Sequence, residues 1–144
     1  MSEKRAEELL AEKGAYTDTT AGTSMWPMLR HRHDTATVIP LRGAVKKYDV
    51  VLFRRTGQLV LHRVVKIVPN GYLIRGDHCL DGELVQENQL LGVLSAFTRN
   101  GKPHSVNAPG YVAYSRMIVW LHPVLSLIIR VRGLMKKALR RENH

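Results

Sequence analysis

The sequence predicts a mainly β, antiparallel fold with a C-terminal α-helical segment. Three observations carry that expectation. Between Asp34 and Phe97, short β-branched runs alternate with turn residues, and no helical pattern lies between the runs, which disfavours a parallel β/α architecture. Pro69-Asn70-Gly71 separates two of these runs, and Asn-Gly is a hairpin signal because both residues tolerate positive φ. After Pro109 the apolar spacing changes to steps of three and four residues, the period of a helix.

Taken in order, residues 3–13 read as a short helix with Leu9 and Leu10 as its apolar handle and Gly14 as its stop. Strands are expected at Thr35–Ile39, Asp49–Phe53, Leu59–Val68, Tyr72–Arg75 and Leu90–Phe97, with Thr56-Gly57 as a further turn. The chain therefore divides into an N-terminal helix (1–15), a β-rich domain (16–108) and basic amphipathic helices (109–144). Pro123 is expected to kink or divide the last of these.

Composition narrows the partners. With 144 residues, 44% of them hydrophobic, the chain can bury one core. Its 22 Lys and Arg against 12 Asp and Glu give a net charge of +10, which suggests an anionic partner such as nucleic acid or lipid headgroups. Residues 116–144 hold 7 basic residues and 1 acidic residue, so the tail supplies most of that charge. The single cysteine, Cys79, rules out an internal disulfide and a paired-cysteine zinc framework, and it reads as an inert thiol. The first ten residues are charged and lack an apolar core, so neither a secretory signal nor an N-terminal membrane span is expected.

The densest apolar stretch, Met117 to Ile129, would extend ~20 Å as a helix against a hydrocarbon core of ~30 Å. That is too short to cross. Arg116 on one side and Arg130, Arg132, Lys136, Lys137, Arg140 and Arg141 on the other suit a helix lying among anionic headgroups, where each cation adds ~1 kcal/mol. Its expected apolar face is Met117, Trp120, Leu121, Leu125, Ile128 and Leu134, and the alternative is packing on the β domain or on a second chain. The expected location is the cytoplasmic face of a membrane, held peripherally, with a soluble cytoplasmic protein as the alternative.

Three segments carry residues able to do chemistry. Gly22-Thr-Ser-Met-Trp-Pro27 is a loop around Ser24; Leu59-Val-Leu-His-Arg-Val-Val65 places an imidazole, His62, in an apolar strand; and Arg75-Gly-Asp-His-Cys-Leu-Asp81 follows a strand and carries Asp77. Each alone is ordinary: a turn serine, a core histidine, a capping aspartate. His31 and His33 flank Arg32 at a spacing that would put two imidazoles on one strand face. No other ligands lie nearby in sequence, so they read as an exposed polar turn and no metal is expected.

In this order and together, the three segments resemble the conserved boxes of the signal peptidase I superfamily, which also contains the self-cleaving SOS-repressor proteases. Gly22-Thr-Ser-Met-Trp-Pro27 resembles the G-x-S-M-x-P nucleophile box. Leu61-His-Arg-Val-Val65 resembles the second box in its archaeal and endoplasmic-reticulum form, which has His-Arg where bacterial enzymes have Lys-Arg, and Gly76-Asp77-His78 resembles the third, usually Gly-Asp-Asn. The resemblance covers about residues 18–97.

It implies an antiparallel coiled sheet or barrel of the signal peptidase type, a serine endopeptidase activity without cofactor, and cleavage of extended leader or signal peptides after small residues. Ser24 would be the nucleophile, His62 the general base, and Asp77 the group that orients or stabilises the imidazole. Histidine suits the role because its ordinary pKa of ~6.5 leaves it neutral near pH 7. Many bacterial relatives place a helping Ser two residues before the nucleophile; here that residue is Gly22, leaving backbone N–H groups around Ser24, with Thr23, for the oxyanion. Met25 and Pro27 would join Gly22 and Thr23 along the substrate groove, and Asp81 stands where eukaryotic-type enzymes carry a further acid. Two other readings are a catalytically silent peptide-binding relative and a nucleic-acid-binding, self-cleaving regulator. The second is disfavoured because only 23 residues precede Ser24, too few for a helix-turn-helix module.

Overall fold

A computed structural model describes residues 3–142 as an antiparallel β-sheet with helices at both ends. Helix α1 (Glu3–Lys13) and strand β1 (Tyr16–Thr19) come first. A long loop leads to β2 (Thr35–Pro40), β3 (Val50–Arg55), β4 (Gln58–Val68), β5 (Gly71–Arg75) and β6 (Glu83–Val85). Strands β7 (Leu90–Arg99) and β8 (Lys102–Ser105) lead into helices α2 (Pro109–Trp120) and α3 (His122–Glu142). Across the sheet the order is β1-β2-β7-β3-β4-β5-β6, with β8 paired to β7. Among the described residues no pairing joins β1 to β6, so the sheet is open and the barrel form of the expectation does not hold.

Strand β4 explains where the sheet opens. Its first half, Gln58–Arg63, pairs with β3, and its second half, Arg63–Val68, pairs with β5 across a bulge between Val64 and Lys66. Residues 58–62 consequently have a strand on one side only. The outer edge of β1 is likewise free among the described residues, where β1 pairs with β2 alone. These two open edges face one groove.

Three packed clusters hold the sheet. Val51, Phe53, Val64, Ile74 and Val85 form one, and Met25, Leu29, Ala36, Val50 and Leu94 another. In the third, α1 presses Ala6 and Leu10, one turn apart, onto Tyr16, Val38 and Leu52. Leu9 is only half-buried, so the helix is rotated from the expected Leu9–Leu10 handle. Gly14 ends α1 at φ +68°, donating its N–H to the Leu10 carbonyl at 3.2 Å, the left-handed stop that glycine adopts without strain.

At the other end, α2 buries Ser115 and Ile118 and packs Tyr111 and Tyr114 on the Met25–Leu94 cluster, whereas no residue of α3 is buried. The two helices are bent by 64° at Leu121. Pro123 is the second residue of α3, where its missing N–H is harmless; it starts the second helix rather than kinking one.

Candidate functional site

Ser24 sits in the loop between β1 and β2, and the base of that loop is tied by Asp34. The buried Asp34 carboxylate accepts two bonds from the Arg30 guanidinium (3.0 and 2.9 Å) and one from the Arg30 N–H (2.9 Å), which hold its pKa well below the usual carboxylate range. Thr20 donates its N–H to the Asp34 carbonyl, and Arg32 donates to the Thr20 carbonyl, closing the neck. Met25, Met28 and Leu29 anchor the loop in the core. Between neck and anchor, Gly22 and Thr23 are exposed and Ser24 is half-buried.

His62 reaches the same place from β4. Ser24 and His62 both line a groove of about 780 Å³, together with Cys79 and the open edges of β1 and β4. Gly76 marks the point of convergence: a methyl group added there would meet the Ser24 carbonyl oxygen at 2.6 Å, Cys79 Sγ at 2.7 Å and His62 Nε2 at 3.1 Å. Only glycine allows that approach. His78 N–H donates to the Ser24 carbonyl at 2.8 Å, so the Gly76–Cys79 turn grips the Ser24 loop directly. Among the described residues, Ser24 and His62 share the groove without a hydrogen bond between their side chains.

Burial is the largest influence on the imidazole, and with the nearby Arg55 cation it pushes the His62 pKa down to about 4; Glu83 and Asp77 oppose the shift. The ring is therefore neutral near pH 7. Its Nδ1 is buried without a hydrogen bond among the described residues and lies 3.8 Å from Glu83 Oε1, a carboxylate that Arg55 also holds. Phe53 meets the ring edge-on, at 5.9 Å between centroids.

Asp77 makes no hydrogen bond to His62 among the described residues, although its charge raises the imidazole's pKa and so favours the cationic form. Successive residues on a strand face opposite ways, so His62 turns into the groove and Arg63 turns to the other face. There Arg63, fully buried, donates from Nε and Nη2 to the two Asp77 oxygens at 2.8 and 2.9 Å, and Tyr114 of α2 donates its hydroxyl proton to Asp77 at 3.0 Å. Arg63 also reaches the Tyr48 carbonyl and the Tyr111 hydroxyl. A bidentate pair with a permanent cation outcompetes a single bond to a neutral imidazole. The acid nearest His62 is Glu83. Asp81, the other expected acid, is exposed and makes no hydrogen bond or ion pair among the described residues.

The remaining expected residues divide. Gly22 and Met25 line the groove with Ser24, but the Gly22 N–H is engaged by His31 Nδ1 at 2.6 Å and is not free for an oxyanion. The backbone N–H groups of Ser24 and Met25 make no hydrogen bond among the described residues. Thr23 is exposed, and Pro27, joined to Trp26 by a cis peptide bond, turns away to a second pocket beside α2 and α3. His31 and His33 lie in an exposed turn rather than on a strand, and no three His, Cys, Asp or Glu side chains gather as metal ligands among the described residues. Sequence reasoning missed Glu83, Tyr111 and Tyr114. No protein-family model and no curated protein matches this chain.

Proposed function

We propose that the chain is a serine endopeptidase of the signal peptidase I type, with Ser24 as nucleophile and His62 as general base. The observation that supports the reading is that Ser24 and His62, from segments far apart in sequence, line one groove, with the Ser24 main-chain carbonyl and His62 Nε2 both close against Gly76. In this reading Ser24 Oγ attacks the scissile carbonyl while His62 Nε2 takes the hydroxyl proton and returns it to the leaving amine, giving an acyl-enzyme that water then hydrolyses. The N–H groups of Ser24 and Met25, which have no partner among the described residues, supply the oxyanion donors. Glu83 and the more distant Asp77 both offset the charge of the imidazolium formed in the transition state; a small movement of the Glu83 carboxylate completes a bond to Nδ1.

The groove suits an extended peptide. Its walls include the open edges of β1 and of residues 58–61 of β4, whose backbone groups can pair with an inserted strand, while Met25, Tyr16, Leu61 and Val38 offer apolar contact. The test is cleavage of a leader-peptide library with small residues before the scissile bond. Ser24→Ala and His62→Ala should each lose ~10³-fold or more, because either change disables the same step. Equal activity in all three proteins refutes the assignment. A peptide-binding module without turnover is the second reading, favoured by the missing Ser24–His62 hydrogen bond; binding of the same peptides without cleavage by the wild-type protein would select it.

A further inference from the structure

Helix α3 has 21 residues and buries none of them. Its apolar side chains fall at Val124, Leu127, Ile128, Val131, Leu134 and Met135, the three- and four-residue steps of a single helical stripe, yet Leu127 is 62% and Leu134 67% exposed. Just before the bend, Trp120 is 80% exposed, an aromatic ring with a polar edge left in water. So long an uncovered stripe marks an interaction surface.

Charge identifies what covers it. Arg130, Arg132, Lys136, Lys137, Arg140 and Arg141 flank the stripe, and α3 has no acidic residue before Glu142. A second copy of the chain, laid stripe to stripe, would bring these cations against their own kind. An anionic headgroup layer over hydrocarbon complements both features at once. Among the described residues no single helix is long and apolar enough to cross a membrane; α2 and α3 qualify only as a pair bent by 64°. The bend lets α2 keep Ser115 and Ile118 buried while α3 buries nothing.

We propose that α3, with Trp120, docks in the interfacial layer of an anionic lipid bilayer, apolar stripe inward. The surface is continuous with the candidate site. An apolar pocket of about 220 Å³ lies between the stripe and the Ser24 loop, with Trp26, Pro27, Leu125 and Ile128 in its walls and Arg132 among its lining residues. At the bend, His122 Nε2 lies 2.9 Å from the Cys79 carbonyl oxygen, and α2 holds Asp77 through Tyr114. The docked helix thus places the Gly76–Cys79 turn, and the groove behind it, beside the lipid surface.

Docking does not depend on the peptidase reading, because lipid binding is measured without substrate and in Ser24→Ala as well as in the wild type. The experiment is flotation of the full chain with phosphatidylcholine vesicles, with and without phosphatidylglycerol. The protein should float with the anionic vesicles, stay behind with phosphatidylcholine alone, and come off in high salt. Leu127→Glu/Leu134→Glu should weaken binding at least ~10-fold with an unchanged thermal midpoint, since both residues are exposed. Lys136→Glu/Arg140→Glu should weaken it in proportion to the anionic lipid present. Failure of the wild type to bind anionic vesicles overturns the proposal. So does attachment that survives high salt and alkaline extraction, which means a spanning segment. A dimer in sedimentation that Leu127→Glu/Leu134→Glu dissociates also overturns it, by showing that a second copy covers the stripe.

Discussion

Replacing Asp77 with Asn separates a scaffold role from a catalytic one. Asp77 and Arg63 are both buried, joined by two hydrogen bonds of 2.8 and 2.9 Å, and Tyr114 adds a third contact to the carboxylate. Neutralising one partner leaves the guanidinium without its counter-charge in a dry site, a loss of about 3–5 kcal/mol. The lost charged bond from Tyr114 belongs to the same network and does not add independently. At roughly 2–4 °C per kcal/mol for a chain near this size, the thermal midpoint should fall by about 10 °C. Removing both partners as Arg63→Met/Asp77→Leu should restore much of the loss, because no orphan charge remains. The assay is thermal and chemical denaturation of the three proteins beside the pH dependence of peptide cleavage. The acid limb of the Asn variant should stay close to the wild type, moving slightly downward as a distant negative charge is lost from His62. Unchanged stability together with collapsed activity and a displaced pH profile would show that Asp77 serves the imidazole after all.

The depressed pKa of His62 gives a signed pH prediction. As the proposed base the imidazole works only when neutral, so the acid limb of kcat/KM should lie near about 4 and not near the ordinary ~6.5. Because the folded pKa is the lower one, fold stability contributed by this group is present above ~6.5 and drains away as pH falls toward about 4; His62→Gln should flatten that part of the stability profile. Glu83→Gln removes the carboxylate that raises the His62 pKa, so the acid limb should move further down and the rate should fall. For Gly76→Ala, the new methyl would sit 2.6 Å from the Ser24 carbonyl oxygen, a backbone atom, and should displace the site. Cleavage should drop ~10²-fold and stability by ~1–3 kcal/mol, read by kinetics and by denaturation.

Legibility of the fold followed composition. Strands β2 to β5 and β7 are rich in Val, Ile, Leu and Phe, and their runs stand out between turns. Strands β1, β6 and β8 do not: Tyr-Thr-Asp-Thr, Glu-Leu-Val and Lys-Pro-His-Ser are short or polar and are strands because a neighbour pairs with them. Ser24 and His62 could be singled out as candidates because the strings that carry them are local. The partner of Asp77 could not be, although one signal was present: adjacent residues on a strand face opposite ways, so a single carboxylate can bond only one of His62 and Arg63. Glu83 left no such signal, since it approaches His62 through the packing of β6 beside β5. The phase of α2 depended on the same buried network, which draws Tyr111, Tyr114 and Ile118 inward and leaves Met117 exposed.

Two residues with nucleophilic side chains, Ser24 and Cys79, line the groove with His62, and burial pushes the Cys79 thiol up. The most direct test of the Ser24–His62 assignment is therefore single-turnover cleavage of one small-residue leader peptide by wild type, Ser24→Ala and Cys79→Ala. Loss of ~10³-fold or more in Ser24→Ala, with Cys79→Ala within a few-fold of wild type, is the predicted result. Cleavage that survives Ser24→Ala and disappears in Cys79→Ala would contradict it.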